Sequence, residues 1–221
     1  MNSIKLLLLP LLIFAFNSNF TPNLNKYTQT IKCDKVLHKT AFDICYSCKY
    51  KHPLAVTYIL KGDLVQRKLS RKHLTFRPDY NLPAKCRSYS KDYSRTGYDR
   101  GHLAPNAAFD YNRAIQKQTF LMSNIAPQKP QLNRRYWAKI EKFARLQARK
   151  YGKVEVVTGV CGNKGYIKNK VGIPDYWYKI IYIPKTKKTI AFLVPNSNAA
   201  GKRKAKEFLV NIKRIKNVCE F

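Results

Sequence analysis

The longest periodic stretch of the chain runs from Leu132 to Tyr151. Tyr136, Ile140, Phe143, Ala144 and Gln147 recur there at three- and four-residue spacing, which predicts an amphipathic helix, and Gly152 supplies its C-terminal stop. The opposite face carries Arg134, Lys139, Lys142, Arg145 and Arg149. Val154 to Val160 follows as an apolar, β-branched run and reads as a buried strand. Val56 to Leu60 has the same character, and Lys61-Gly62-Asp63 reads as a turn into a hairpin with Leu64-Val65. Tyr176 to Ile183 and Thr189 to Val194 flank Pro184–Lys188 and predict a second hairpin, whereas Phe208 to Ile212 reads as a final strand or a helical turn. Residues 70 to 98 mix prolines, aromatics and charges without a period, which predicts an irregular basic surface segment. Asp110 to Gln118 has helical character. The sum is an α+β chain with a mainly antiparallel sheet and one dominant helix.

The N-terminus departs from this pattern. Lys5 precedes an uncharged apolar run from Leu6 to Phe16. A bilayer span needs about 20 residues, and this run is too short for one. It has the form of a secretory leader over residues 1–19, cleaved near Asn17 to Phe20, although no small-x-small site is visible; an uncleaved anchor is the alternative. The expected product is exported, periplasmic or secreted. Residues 20–221 show no repeat or long linker and are numerous enough for one domain with a core. All six cysteines follow the leader: Cys33, Cys45, Cys48, Cys86, Cys161 and Cys219. An even count in an exported chain favours disulfides. Cys45-Tyr46-Ser47-Cys48 leaves a redox pair or half a zinc site as alternatives. We expect Cys161 to pair with Cys219 and tie down the C-terminus.

Charge narrows the partners. Of 221 residues, 43 are Lys or Arg and 12 are Asp or Glu, a formal net charge of +31. Such an excess repels itself and attracts phosphate polymers or anionic surfaces. The clusters Arg67–Lys72 and Lys202–Lys206 are each compatible with a solvated face. A membrane-active protein would present a basic amphipathic helix with a lipid-facing stripe. The helix at 132–151 has aromatic and small core residues instead, so no stable membrane partner is expected.

Chemistry concentrates in Tyr98-Asp99-Arg100-Gly101-His102-Leu103-Ala104-Pro105-Asn106. A histidine near its ordinary pKa can take a proton from water at neutral pH, and arginine can grip phosphate oxygens bidentately. A hard cation such as Mg²⁺ keeps several waters and needs few protein ligands. His38, His52 and His73 lack such company and read as structural or surface residues. On the predicted helix, Asn133 and Glu141 lie eight residues apart, about 80° around an α-helix. Glu141 and Arg145 lie four apart, which makes them neighbours; taken alone, they are an ordinary solvent ion pair.

The run 98–105 resembles the signature of the DNA/RNA non-specific endonucleases, the His-Me finger (ββα-metal) nucleases of the Serratia nuclease and endonuclease G type. Two further blocks match in order and spacing: Phe120-Leu121-Met122-Ser123-Asn124-Ile125-Ala126-Pro127-Gln128, and Gln131 to Glu141. The resemblance covers roughly residues 55 to 215. It implies a ββα-metal nuclease fold, a central mainly antiparallel sheet flanked by helices. It also implies hydrolysis of DNA and RNA with little sequence preference, leaving 5′-phosphates, with Mg²⁺ as cofactor and Mn²⁺ as a substitute. By position, His102 matches the general base and Asn133 the direct metal ligand. Glu141 matches a carboxylate holding metal-bound water, and Arg100 and Arg145 match arginines near the scissile phosphate. Asp99 matches an orienting residue, and Arg71 an upstream phosphate contact. Asn124 lies within the second block. Arg135 stands where the family commonly has a small residue and is a further candidate phosphate contact. Residues 33 to 51 depart most from the family. A homodimer and an inhibitor protein stay open, and the competing reading is a non-catalytic DNA-binding or uptake protein on the same fold.

Overall fold

The computed structural model describes residues 14–220. In chain order its strands are β1 (Phe14–Ala15), β2 (Lys32–Cys33), β3 (Lys35–His38), β4 (Phe42–Ser47), β5 (His52–Lys61), β6 (Asp99–His102), β7 (Ile125–Gln128), β8 (Lys153–Cys161), β9 (Tyr176–Ile183) and β10 (Lys188–Pro195). The α-helices are α1 (Asn25–Thr28), α2 (Asn106–Phe109), α3 (Arg113–Thr119), α4 (Ala138–Tyr151) and α5 (Ile212–Cys219). Six strands form one sheet in the order β10-β9-β8-β5-β4-β3, antiparallel at every pair. Two smaller antiparallel ribbons, β1-β2 and β6-β7, lie apart from it.

The central strands read as near-continuous apolar runs because both faces of the sheet are covered. Tyr58, Val156, Trp177 and Ile181 pack with Tyr136, Ile140 and Ala144 of the long helix on one face. Ala55, Val157, Tyr178 and Ile180 pack with Cys33, Cys45 and Ile215 of α5 on the other. Each fully buried Val, Ile or Phe side chain contributes about 1.5–3 kcal/mol, so both layers stabilise the strands.

The long helix differs from its prediction in one respect. Leu132–Trp137 is wound as a π-helix, and α-geometry begins at Ala138. Wider π-winding advances each residue through a smaller angle than the α-helix does. The offset between Asn133 and Glu141 is therefore smaller than regular α-helical spacing gives. Gly152 ends the helix at φ 88°, a conformation that a Cβ would strain.

Other expectations need correction. Leu64 and Val65 form no hairpin; both amides donate to the Lys61 carbonyl in a turn, and β5 pairs with β4 and β8 instead. Of the two readings of Phe208–Ile212 the helical one holds at the ends: a 3-10 turn ends at Phe208, and α5 starts at Ile212, capped by the Asn211 side chain. Residues 70–98 are irregular as expected, yet Leu82, Cys86 and Tyr93 are buried, so the segment is not all surface.

Cys161 pairs with Cys219 as expected, and Cys33–Cys45 and Cys48–Cys86 complete the set. Cys45 and Cys48 thus bond different partners, which removes the redox and zinc readings. Most of the predicted leader lies outside the described residues. Within its end, β1 pairs with β2, Phe16 is buried, and the Ser18 hydroxyl donates to Asp43 at 2.6 Å. Among the described residues no helix is long and apolar enough to cross a membrane.

Candidate active site

A cleft of about 340 Å³ opens between the β6–β7 ribbon and the long helix. Its walls include Asp99, Arg100 and His102 of β6, Asn133 of the π-turn, Glu141 of α4, and Arg71 and Phe76 of the irregular segment. Residues up to seventy positions apart in the chain thus meet at one place.

The run 99–102, read only as a motif, is a β-strand. It pairs residue for residue with β7, His102 opposite Ile125 and Asp99 opposite Gln128. Gly101 is required there by close packing. A Cβ would lie 2.6 Å from Gln128 Oε1 and 2.8 Å from the Trp177 ring. Asn124 holds the next turn: its Oδ1 accepts the Ala104 amide at 2.8 Å, and its Nδ2 donates to the Ala104 and Thr119 carbonyls. Asn124 is buried and positions the chain after His102; it does not line the cleft.

The His102 ring sits between Phe76 and Phe120, with ring centroids 5.3 Å from each. Nε2 is buried and has no hydrogen-bond partner among the described residues. Burial, and after it the Arg71 charge, pulls His102 down to about 3. The ring is therefore neutral at physiological pH. Arg71 and Arg100 lie over the outer aromatic faces, 5.5 Å from the Phe120 and Phe76 centroids respectively. Arg100 is further anchored by donating to the Ser90 carbonyl at 2.7 Å, while its Nε is left without a partner.

Asp99 joins the strand to the helix. It accepts from Asn133 Nδ2 at 2.9 Å and from Arg134 Nε and Nη2 at 2.8 and 2.7 Å. Burial alone would raise its carboxyl; the Arg134 and Asn133 hydrogen bonds and the Arg134 and Arg100 charges hold it below its ordinary value. Because the Asn133 amide group faces Asp99, its carbonyl oxygen is the free end. That oxygen has no hydrogen-bond partner among the described residues.

Glu141 is half-buried at the same cleft. Burial raises its carboxyl, and the charges of Lys179 and Arg145 oppose that rise. Arg145 does not line the cleft; its Nη1 is buried without a hydrogen-bond partner, and its charge acts on Glu141 and Asp110. Glu141 and Arg145 are thus not a solvent-exposed pair. Arg135 is exposed and also lies outside the cleft lining.

The donor set suits a hydrated hard cation. It offers one free amide oxygen and one carboxylate, and among the described residues no group of three or more His, Cys, Asp or Glu could hold an ion by itself. Sequence reasoning missed Phe76, the Arg134 clamp and Lys179. Only Lys179 left a signal, as a lone cation in the apolar strand Tyr176–Ile183.

A family model for DNA/RNA non-specific endonucleases matches residues 20–220. Human mitochondrial endonuclease G is 29% identical over 193 residues, covering 80% of this chain and 65% of that protein. The mitochondrial nuclease of Saccharomyces cerevisiae is 31% identical over 200 residues, covering 79% and 61%. Nuclease C1 of Cunninghamella echinulata is 32% identical over 160 residues, covering 65% and 64%. The chain therefore spans less than two thirds of the length of these relatives. Among solved structures, the EndoG/EndoGI complex, a study of EndoG inhibition, contains a chain that superposes with a TM-score of 0.79 at 24% identity. The match covers 84% of this chain and 83% of that one.

Proposed function

The chain belongs to the DNA/RNA non-specific endonuclease family, and from that premise we propose that it is an exported, metal-dependent endonuclease hydrolysing phosphodiester bonds of DNA and RNA with little sequence preference. The observation that carries this reading is the meeting of His102, Arg100, Asn133 and Glu141 in one cleft. A protein that only bound nucleic acid would need the charge but not the neutral imidazole beside a free amide oxygen.

The His102 imidazole is the base that takes the proton from the attacking water as the new P–O bond forms and the bond to the leaving oxygen breaks. Burial, and after it the Arg71 charge, holds its pKa down; a phosphate that neutralises Arg71 removes the lesser of these causes and makes the imidazole a stronger base. Arg100 and Arg71 flank the phosphate; Arg145 acts through Glu141. Asn133 would hold the cation through its carbonyl oxygen, and Glu141 would hold its waters. When bound, the cation stabilises the negative charge that develops on the leaving oxygen.

Contacts from Lys and Arg to phosphate carry no base information, which suits broad substrate scope in a chain of net charge +31. Three disulfides support export to an oxidising compartment. The test is cleavage of single- and double-stranded DNA and RNA across a metal series. Activity on all four that EDTA abolishes is expected. Tight binding without turnover in Mg²⁺ or Mn²⁺ would sink the proposal.

A further inference from the structure

Lys179 is fully buried in the middle of β9, on the sheet face that packs against the long helix. Lysine is almost never sealed this way without a paired charge, because removing an ammonium from water is costly. Its hydrogen-bond partners are two neutral hydroxyls: Tyr58 Oη at 3.0 Å and Thr158 Oγ1, its cross-strand neighbour on β8. Tyr58 and Thr158 also hydrogen-bond each other at 3.1 Å. The ammonium lies 5.1 Å from the Trp137 ring centroid, where π-winding gives way to α4. Hydroxyls and rings satisfy hydrogen bonds but do not cancel the charge.

None of the ion pairs among the described residues involves Lys179. The charges that act on it belong to Glu141, which is opposite, and Arg145, which is like. Glu141 lies four residues, one turn, beyond Trp137, whose ring the ammonium faces; burial lowers the ammonium's pKa, and Glu141 opposes that fall. Charges in a low-dielectric interior act over longer distances than at a surface, so a fixed cation can orient a carboxylate that it does not touch.

We propose that Lys179 is a positioning residue: fastened by Tyr58 and Thr158 to the central strands, it is the internal counter-charge that fixes the Glu141 carboxylate at the cleft. This rests on the nuclease reading of that cleft. It also explains why an otherwise apolar strand keeps a lysine under the catalytic helix.

The test is a double-mutant cycle of Lys179→Met and Glu141→Gln, read by cleavage kinetics and thermal melting. Lys179→Met should lower kcat on the order of tenfold with little change in KM for DNA, and add almost nothing once Glu141 is Gln. Effects that multiply, or an unchanged kcat, overturn the proposal. If Lys179→Met does not fold, the melt of Glu141→Gln decides. A lowered Tm is expected, since the variant strips a buried ammonium of its counter-charge; an unchanged or raised Tm overturns the idea. Wild-type protein that cleaves nothing would refute the nuclease reading instead, and the melting comparison would still test the link between Lys179 and Glu141.

Discussion

On the sheet face that carries β1, α1 and α5, buried polar groups mostly find protein partners. Asn23 donates twice to Glu155, at 2.6 and 3.0 Å, Ser18 donates to Asp43, and the Thr28 hydroxyl donates to the Phe16 carbonyl at 2.9 Å. Two of the three disulfides brace the same layer. On the opposite side, the Nε2 of His102, the Nε of Arg100, the Nη1 of Arg145, both indole nitrogens and both amide atoms of Gln128 have no hydrogen-bond partner among the described residues. Among the described residues the braced face leaves the hydroxyls of Thr21 and Thr57 in that state. Folded proteins satisfy nearly all buried polar groups; of these exceptions, those of His102 and Arg100 belong to residues that line the cleft. The two faces differ in kind: one is braced by disulfides and paired polar groups, and the other carries the cleft.

That division can be broken from either side. The largest expected effect is on the cleft. Replacing His102 with Ala should cut the cleavage rate by about 10²–10⁴-fold, the usual contribution of a general base, while circular dichroism shows a folded protein. Next comes the braced face. Cys219→Ser opens a loop of sequence separation 58 and should cost about 2–4 kcal/mol of stability by denaturant titration, with kcat unchanged at temperatures where the variant is folded. A fall in kcat there would mean that the faces are not separable. Asp99→Ala should leave stability nearly intact but raise the Mg²⁺ or Mn²⁺ concentration needed for half activity by about 10–100-fold, because the Asn133 amide loses its orienting partner.

Acid sharpens the comparison further, because each region holds one histidine whose neutral form is favoured by burial. His102 is pulled down to about 3, and His52, beside the Cys161–Cys219 bridge, to about 4, where burial outweighs the hydrogen bond to the Pro53 carbonyl. A depressed histidine binds fewer protons folded than unfolded between its folded value and about 6.5. Stability is therefore full above that window and falls as pH drops through it. His52→Gln and His102→Gln should each flatten this loss in pH-dependent melts, but only the second should abolish cleavage. The smallest effect is expected at exposed Arg135. Arg135→Gln should leave kcat unchanged and reduce the salt dependence of DNA binding by about one unit of slope at most.

The parts legible in the sequence were those whose signal is local. Val154–Val160 reads as a strand because both faces bury branched side chains, and residues 132–151 read as a helix because the apolar stripe holds its phase. The motif at 98–105 located His102 but did not reveal that 99–102 is a strand, since its partner β7 lies more than twenty residues away. Its Gly101 proves to be a packing requirement set by Gln128 and Trp177. The π-turn had no signature in spacing, yet it sets the phase between Asn133 and Glu141. The pairing of Cys33 with Cys45 and of Cys48 with Cys86 depends on the register of β2, β4 and the 70–98 segment, which residue order does not encode. Lys179 was visible as a misfit in β9, and only the fold shows that it meets Tyr58, Thr158 and the Trp137 ring.

His102 of β6 and Asn133 of the π-turn, thirty-one residues apart, are proposed to act as one catalytic unit. The most direct measurement is the single-turnover rate of cleavage of one DNA duplex in saturating Mg²⁺ by His102→Ala, Asn133→Ala and the double variant. Residues that act as a unit are strongly non-additive. The double variant is predicted to be about as slow as the slower single variant. A double variant slower by the product of the two single losses, or an Asn133→Ala that cleaves like wild type, would contradict the claim.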